Sequence, residues 1–333
     1  MYNFPQENLN RLVSMLSAAR RPVLLTHTHP DGDAVGSVSG LYFYLTQTLG
    51  KPAKALFADI IPDSISFIGR GVEICSDPGC LRDCDLLVCT DFNSLSRAGS
   101  LEDAVRACKA PRILFDHHLF PNKEEFDLVF SETAISSACE LVFWVLRSID
   151  GTADALPLAT ASALMAGMTT DTNNFANSVY PGTLQMASEL LERGVDRDAI
   201  IDALYKSYRP ERLRAITAIL ASNMQLCEGF AYIIIPAEDM FRLDVREGEL
   251  EGLVNIPLGV KDVKISITAK QDGEEWRLSV RSKKGWSANR LAKDHLHGGG
   301  HEQAAGGRLN VASEAPTVEA LAGILEKIVP LYL

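Results

Sequence analysis

Three short apolar runs, each followed at once by aspartate and histidine, constrain the fold of this chain more than any other feature. The runs are VLL at 23–25 before THTHPDGD, LLVC at 86–89 before TD, and RILF at 112–115 before DHH. Apolar runs that alternate with helical patterns predict a parallel sheet covered by helices on both faces. Since ligands bind beyond the carboxyl ends of such strands, we expect these polar side chains to converge on one crevice.

The pattern along the chain divides its 333 residues into three parts. Strands and helices alternate over residues 1–195, and the polar helical stretch 196–229 predicts a connecting linker. From residue 230 to 333, segments such as FAYIII and VKISITAK read as strands, and QDGEE reads as a hairpin turn. We therefore expect an α/β fold, with a parallel-sheet N-terminal domain joined by a helical linker to a smaller C-terminal α/β domain.

The distribution of histidines points to bound metal. All seven lie in three short stretches, 27–29, 117–118 and 295–301, and two of these stretches also hold aspartates at predicted strand ends. Aspartate oxygens with a minority of imidazole favour Mn²⁺, with Mg²⁺ or Co²⁺ as alternatives, and the lack of cysteine there disfavours structural zinc. Four or more carboxylates are too many for one ion, so we predict two divalent ions, an arrangement suited to phosphate ester hydrolysis.

Charge and cysteine content limit the partners and the compartment. The net charge of −11 argues against a long nucleic acid as a general partner, but residues 277–308 carry a local charge of +5. That patch suits a small anion, and a solvated lysine-rich loop is the alternative. Seven cysteines without a recognisable secretion signal predict a cytoplasmic protein without a disulfide framework, and no apolar run is long enough to span a membrane.

Five segments resemble, in order, the motifs of the DHH phosphoesterase family. HTHPDGDAVGS, TDFNSLSR, FDHH and TTDTNNF resemble the four motifs of its catalytic domain, and GGGHEQAAGG at 298–307 resembles the glycine-rich signature of its C-terminal substrate domain. The resemblance implies a DHH domain at 1–195 that binds two metals and a DHH-associated domain at 230–333 that binds substrate. The most similar type is the nanoRNase A group, oligoribonucleases that also dephosphorylate 3′-phosphoadenosine 5′-phosphate.

The resemblance also implies roles for individual side chains. The implied metal ligands are His27, Asp31, Asp33, Asp91, His117 and Asp171. Asp91 is expected to bridge the two ions, His118 to face the phosphate as a donor or acid, and Asp116 to orient the histidines. For Asp171, a helix or loop cap is the alternative role. His29 lies outside the motif spacing and is expected either to support the metal ligands or to be a loop residue, with contact to substrate as an alternative. Asn173 stands where relatives often have glycine, which leaves the shape of that loop open.

Substrate contacts are expected from both domains. Arg97, in the pattern DxxSxxR, is predicted to contact phosphate, with an ordinary surface arginine as the alternative. Arg281 and Ser282 resemble a phosphate-binding element of the family. The glycine-rich stretch is predicted to form an anion nest, with a flexible loop as the alternative, and its expected contacts are Gly298, Gly299, Gly300 and His301.

Together these features predict a Mn²⁺-dependent phosphoesterase for short substrates. The expected reactions are release of 5′-mononucleotides from short single-stranded RNA and removal of the 3′-phosphate from 3′-phosphoadenosine 5′-phosphate. Long duplex nucleic acid and membranes are not expected as partners, and the oligomeric state, a homodimer included, stays open. The alternatives are a cyclic or linear dinucleotide phosphodiesterase, an exopolyphosphatase or pyrophosphatase, and a non-catalytic nucleotide-binding protein.

Overall fold

The computed structural model describes residues 2–75, 77–246 and 248–333. The chain divides into two compact units, Met1–Ser207 and Tyr208–Leu333. The boundary falls inside the stretch 196–229 that the sequence predicted as a linker. One helix of that stretch belongs to the first unit and the next helix to the second.

The first unit contains a six-stranded parallel sheet in the order β3-β2-β1-β4-β5-β6. Its strands are β1 Pro22–Leu25, β2 Lys54–Leu56, β3 Ile74–Cys75, β4 Leu86–Thr90, β5 Arg112–Asp116 and β6 Leu128–Ser131. Every residue of β1 and β4 is buried, because helices cover both faces of the sheet. This is why these strands are continuous apolar runs instead of alternating patterns.

Seven helices of the described chain belong to this unit. They are α1 Gln6–Ala18, α2 Gly32–Phe43, α3 Glu102–Ala107, α4 Ala138–Asp150, α5 Leu158–Asp171, α6 Pro181–Glu192 and α7 Arg197–Tyr205. Helices α2 and α5 pack closely because small residues line their contact. A Cβ atom on Gly36 would lie 2.8 Å from the carbonyl oxygen of Ala163 and 2.9 Å from Cα of Gly167. This close approach sets the position of α2, whose N-cap and first turn each carry a predicted metal ligand.

The second unit contains a mixed six-stranded sheet in the order β11-β12-β10-β9-β8-β7, in which only β8 and β9 are parallel. The strands are β7 Met224–Leu226, β8 Phe230–Ile235, β9 Ile265–Asp272, β10 Glu275–Ser282, β11 Gly299–Gly300 and β12 Ala304–Asn310. The helices described in this unit are α8 Pro210–Ser222, α9 Ala237–Arg242, α10 Ala288–His295 and α11 Val318–Ile328. Buried side chains such as Trp276 and Leu321 form a separate core.

The predicted fold class is confirmed: a parallel sheet between helices in the N-terminal part and a second, smaller α/β part after it. The sequence reading missed β6, a strand of four residues that neither aspartate nor histidine follows directly. It read β11 as a loop or nest because two glycines carry no strand signal.

Candidate metal centre

Predicted site residues of the first unit meet at the carboxyl edge of the parallel sheet. His27 lies two residues beyond β1, Asp91 follows β4 directly, and Asp116 ends β5. Because β4 lies between β1 and β5, the three strand ends are neighbours. Side chains that are far apart in the sequence therefore share one edge, as the strand pattern predicted.

Asp91 lies between two histidines. Its Oδ2 atom is 3.4 Å from Nε2 of His27, and its Oδ1 atom is 3.4 Å from Nε2 of His117. All three side chains are buried. The backbone of Asp91 has φ 63°, in the left-handed region that aspartate adopts more readily than most residues. This backbone lets one carboxylate face a histidine on each side.

Three groups of ligand-type atoms include the Asp91 carboxylate, and within each group one atom per residue lies within 4.8 Å of the others. Two of these groups consist only of predicted metal ligands: His27, Asp31 and Asp91, and Asp33, Asp91 and His117. The third is Asp91, Asp116 and His118. Asp171 lies beside the second group, with Oδ2 3.8 Å from Nε2 of His117. The structure thus brings together all six side chains that the sequence proposed as metal ligands.

Asp31 and His27 are each oriented by a second contact. Asp31 is the N-cap of α2, and its Oδ1 atom accepts hydrogen bonds from the amides of Asp33 and Ala34 at 3.1 and 3.0 Å. Nδ1 of His27 is 2.7 Å from the carbonyl oxygen of Thr28. When Nδ1 donates to that carbonyl, Nε2 keeps its lone pair toward the carboxylates, which is the tautomer that binds a metal.

Asp33 is fixed by the first amides of α4. The amide of Ala138 donates to its Oδ2 atom at 2.6 Å, and the amide of Cys139 donates to its Oδ1 atom at 2.8 Å. The positive end of the α4 dipole favours a carboxylate at this place. Sequence reasoning gave residues 138 and 139 no role, because almost every residue type has a backbone amide and the sequence does not show which amides donate to a distant side chain.

A buried carboxylate, Glu140, holds the start of α4 in place. It accepts hydrogen bonds from the amide and hydroxyl of Ser136 at 3.0 and 2.5 Å, from Oγ1 of Thr183 at 2.7 Å and from Nε1 of Trp144 at 3.1 Å. Its own amide donates to Oγ of Ser137, the N-cap, at 3.0 Å. Sequence reasoning missed Glu140, although the S-x-x-E spacing of a capping box could have indicated it.

His118 is oriented by Asp116 on one side and lies near Arg97 on the other. Nδ1 of His118 is 2.8 Å from Oδ1 of Asp116, and its Nε2 is 3.3 Å from Nη1 of Arg97. Asp116 is fully buried, so it fixes the plane of the imidazole ring. The guanidinium of Arg97 therefore lies at the edge that holds the metal groups, where a phosphate contact was predicted.

The buried carboxylates of this site would be stabilised by a cation, as the pKa shifts of its residues indicate. Burial, followed by the charges of Asp91 and Asp171, raises the pKa of Asp33 well above its ordinary value. Burial alone would raise the pKa of Asp91, but His117 and His27 together lower it well below its ordinary value. Burial would likewise lower the pKa of His117, but the neighbouring carboxylates raise it to about 10.

An unsatisfied oxygen gives an independent test of whether a metal fits. Among the described residues, no hydrogen-bond donor reaches Oδ1 of Asp91, although this oxygen is buried. Leaving a buried acceptor without a partner costs about 1–3 kcal/mol, and a bound cation would remove that cost. A donor set of carboxylate oxygens and imidazole nitrogens is one that divalent cations accept. The residues at this edge therefore fit a divalent metal site.

Asp171 reaches the site from a helix end. It is the last residue of α5, and three residues with positive φ angles, Asn173, Asn174 and Phe175, follow it. Oγ1 of Thr172 accepts a hydrogen bond from the amide of Phe175 at 3.1 Å. Asparagine tolerates the left-handed backbone better than most residues, so Asn173 takes a conformation that glycine would also take.

His29 lies in the loop between β1 and α2, outside both metal groups. Its amide donates to Oδ2 of Asp59 at 2.7 Å, and its Nδ1 atom is 3.7 Å from the same oxygen. These contacts tie the loop after β1 to the loop after β2.

In the second unit, the glycine-rich stretch forms a β-hairpin. Gly299 pairs with Gly306 across β11 and β12. A Cβ atom on Gly298 would lie only 1.9 Å from the carbonyl oxygen of Gly306, so only glycine permits this approach. Here the glycines allow two strands to come close together.

Three backbone amides that the predicted anion nest could have used are engaged within the fold. The amide of Gly298 donates to the carbonyl of Ala292 at 3.2 Å, and the amide of Gly300 donates to Oδ1 of Asn289 at 3.1 Å. The amide of His301 donates to the carbonyl of Ala304 at 2.8 Å and closes the turn. Because a nest needs amides that point at its ligand, these three groups do not supply one. Substrate contact by this stretch stays a prediction.

Arg281 and Ser282 end strand β10 beside that turn. Arg281 pairs with Ala304 of β12, which places it at the same end of the sheet as His301. Oγ of Ser282 donates to the carbonyl of Trp286 at 2.6 Å, so this hydroxyl supports the following loop.

The fold and the site together define a class of protein, a hydrolase of phosphoric esters. Family models match both units: the N-terminal domain of the DHH family matches residues 22–168, and the DHHA1 domain matches residues 229–328. The chain belongs to the DHH family of phosphoesterases.

Two relatives cover nearly the whole chain. A solved structure from Bacteroides fragilis, an exopolyphosphatase-related protein, is 31% identical with a TM-score of 0.88, and the match covers 99% of both chains. The bifunctional oligoribonuclease and PAP phosphatase NrnA of Thermus thermophilus is 27% identical over 307 residues, which are 91% of this chain and 89% of the relative.

A more distant similarity concerns the fold alone. The structure of RecJ from Thermus thermophilus, in complex with Mn²⁺, matches 98% of this chain and 54% of its own length, with 16% identity and a TM-score of 0.57. Across the described part of this chain, every helix is too short or too polar to cross a membrane.

Proposed function

We propose that this protein is a Mn²⁺-dependent phosphoesterase that binds two metal ions and acts on short nucleotide substrates. Its reactions would be release of 5′-mononucleotides from short single-stranded RNA and conversion of 3′-phosphoadenosine 5′-phosphate to AMP. The observation that carries the proposal is the Asp91 carboxylate, which belongs to both groups of predicted metal ligands. A carboxylate placed in this way suits a pair of adjacent cations.

The metal ligands would come from the two groups around Asp91. His27, Asp31 and Asp91 would hold one ion; Asp33, Asp91, His117 and Asp171 would hold the other. When bound, such ions neutralise phosphate oxygens and lower the pKa of water. The protein's own contribution is to fix these ligands before substrate arrives, as the α4 amides do for Asp33.

His118 and Arg97 would act on the phosphate directly. Asp116 accepts from Nδ1 of His118, so Nε2 of the neutral ring accepts a hydrogen bond from Nη1 of Arg97, and once protonated it would be the atom that donates to the phosphate. Arg97, beside it, would bind a phosphate oxygen through its guanidinium. In the second unit, Arg281 and His301 would contact a more distant part of the substrate.

Names and properties of relatives support this proposal. The Thermus thermophilus relative is named for oligoribonuclease and PAP phosphatase activities, and the RecJ structure contains Mn²⁺. All seven cysteines are free thiols, in keeping with the proposed cytoplasmic location.

The test is a substrate panel with purified protein and Mn²⁺. Turnover would be measured on a labelled dinucleotide, a labelled 24-mer and 3′-phosphoadenosine 5′-phosphate. We expect the dinucleotide and the bisphosphate to react much faster than the 24-mer. Preference for the 24-mer would contradict the proposal.

An exopolyphosphatase is the second candidate, because the Bacteroides fragilis relative is described as exopolyphosphatase-related. Adding tripolyphosphate and pyrophosphate to the same panel separates the two candidates. Hydrolysis of these compounds without turnover of any nucleotide would favour the second candidate.

A further inference from the structure

The start of helix α4 divides its backbone amides between its own cap and Asp33. The first amides of a helix have no partner within the helix. Oγ of Ser137, the N-cap, accepts the amide of Glu140 at 3.0 Å. The amides of Ala138 and Cys139 remain, and they donate to the Asp33 carboxylate at 2.6 and 2.8 Å. Asp33 therefore takes its position from the place at which α4 begins.

The side chain of Glu140 fixes that place. It is fully buried, and its Oε2 atom accepts hydrogen bonds from the amide and the hydroxyl of Ser136 at 3.0 and 2.5 Å and from Oγ1 of Thr183 at 2.7 Å. Its Oε1 atom accepts from Nε1 of Trp144 at 3.1 Å. Since Ser136 directly precedes the N-cap of α4, these bonds hold the backbone from which the helix starts.

The same carboxylate also contacts the start of helix α6. Thr183 lies in the first turn of α6, and its Oγ1 atom accepts the amide of Tyr180, the N-cap of that helix, at 3.1 Å. A Cβ atom on Gly182 would lie 2.9 Å from Oε1 of Glu140, so α6 packs closely against this carboxylate. Helix α6 follows the loop that begins after Asp171. Glu140 thus joins the starts of two helices, α4 and α6.

The two groups of predicted metal ligands depend on these helix starts to different extents. We call them the Asp33 group and the His27 group; their members are Asp33, Asp91 and His117 in the first, and His27, Asp31 and Asp91 in the second. The His27 group is oriented without α4, because the carbonyl of Thr28 fixes the His27 ring and Asp31 caps α2. A change at Glu140 should therefore weaken the binding of one ion and leave the other unaffected.

We propose that Glu140 is a positioning residue for the metal ion of the Asp33 group. It keeps the amides of Ala138 and Cys139 on the Asp33 carboxylate, whose Oδ2 atom lies 3.7 Å from Nε2 of His117. This proposal rests on the proposed function, because it concerns one of the two ions which that function requires. Removal of a group that orients a metal ligand typically lowers metal affinity about 10–100-fold.

The test is calorimetric titration of the metal-free protein with Mn²⁺, for the wild type and for Glu140→Gln. In either orientation of the glutamine amide, its NH₂ group faces a donor that the carboxylate now accepts. We expect the wild type to bind two ions per chain. Glu140→Gln should bind one ion with unchanged affinity and the other at least about tenfold more weakly. Because that ion still binds, turnover by Glu140→Gln should rise toward the wild-type value at high Mn²⁺ concentration.

Variants of Thr183 remove a single neutral hydrogen bond and leave the Glu140 carboxylate in place. Thr183→Val has nearly the shape of threonine without its hydroxyl, so we expect the affinity for the same ion to fall about threefold. Thr183→Ser keeps the hydroxyl and should bind both ions like the wild type. The control is Glu189→Gln, since Glu189 of α6 pairs with Arg147 in the last turn of α4; it should leave both affinities unchanged.

The outcomes separate this proposal from the proposed function. If the wild type and Glu140→Gln bind two ions with the same affinities, Glu140 is not a positioning residue and the proposed function stands. An equal loss of affinity for both ions would also overturn the positioning role. If Glu140→Gln does not fold, Thr183→Val decides by the same criteria.

Two outcomes concern the wild type itself. If it binds two ions but hydrolyses no nucleotide, the proposed function fails, and the binding data alone decide on the role of Glu140. If it binds fewer than two ions, both proposals fail.

Discussion

The carboxyl edge of the sheet in the first unit (the edge) and the glycine-rich hairpin of the second unit differ in what their sequence motifs supply. The motifs of the edge supply polar side chains, and the motif of the hairpin supplies glycines that let two strands come close together. At the edge, the candidate metal ligands are side chains that follow β1, β4 and β5, lie at the start of α2 or end α5, and that meet around Asp91. In the hairpin, consecutive glycines serve the backbone, and the amides of Gly298 and Gly300 are engaged within the fold. Residue type therefore identifies candidate metal ligands at the edge, whereas in the hairpin the glycines permit strand packing and their contact with substrate stays a prediction.

We expect the largest effect, a loss of turnover, from a substitution of Asp91 at the centre of the edge. Asp91→Asn keeps the size and the tolerance for φ 63° but removes the charge shared by both groups. We expect turnover to fall at least about 10³-fold, because several kcal/mol of charge stabilisation are lost. Calorimetric titration with Mn²⁺ should show weaker binding.

Asp103→Asn, an exposed residue of α3, is the matched control and should behave like the wild type. Wild-type turnover and Mn²⁺ binding by Asp91→Asn would show that the two groups do not depend on a shared carboxylate.

The next largest effect, a loss of stability, is expected from a substitution in the hairpin. Gly298→Ala would place a methyl group 1.9 Å from the carbonyl of Gly306, so the strands would have to separate. We expect a loss of about 1–3 kcal/mol in the free energy of unfolding of the second unit, measured by chemical denaturation.

Gly259→Ala is the control, since a Cβ atom there would meet nothing within 4 Å. If Gly298→Ala unfolds like the wild type but binds substrate poorly, the glycine serves the ligand and the contrast with the edge disappears.

A smaller effect is expected at the turn after Asp171. Asn173 has φ 47°, so Asn173→Ala should lower the free energy of unfolding by about 1 kcal/mol, whereas Asn173→Gly should stay within about 0.5 kcal/mol of the wild type. Equal stability of the two variants in urea denaturation would mean that the left-handed backbone is not a constraint here.

We expect the smallest effect, a pH-dependent change in melting temperature, from a substitution in the ion pair of Arg209 and Glu249. Arg209 binds Glu249 through two hydrogen bonds of 2.8 Å, which lower the pKa of Glu249. A lowered pKa adds stability above the unfolded value of about 4.3, and that stability disappears as pH falls through the folded value. Glu249→Gln should therefore melt below the wild type at pH 7.

That difference in melting temperature should shrink as the pH falls from the unfolded value of about 4.3 through the lowered folded value, below which Glu249 is protonated in both states. The pKa of Asp33 at the edge shifts in the opposite direction from that of Glu249, because burial raises it. In the absence of a bound cation, the ionised Asp33 carboxylate therefore lowers the stability of the fold. A melting difference for Glu249→Gln that is independent of pH would contradict the assignment.

Most of the candidate metal ligands at the edge could be predicted from the sequence, because their residue types are themselves the ones that bind metals. Metal-capable residue types directly after apolar runs are enough to identify His27, Asp91 and His117. Asp171 was harder, since it ends a helix and needed the family resemblance. The amides of α4 and the buried Glu140 were missed, because tertiary hydrogen bonds arise only when distant segments meet.

The left-handed backbone of Asp91 has a consequence for how this position can vary. Few residue types adopt φ 63° at low cost, chiefly glycine, asparagine and aspartate. Among these, only aspartate also carries a negative charge. Sterics and coordination chemistry thus select the same amino acid independently, and a saturation library at this codon should return a single functional solution.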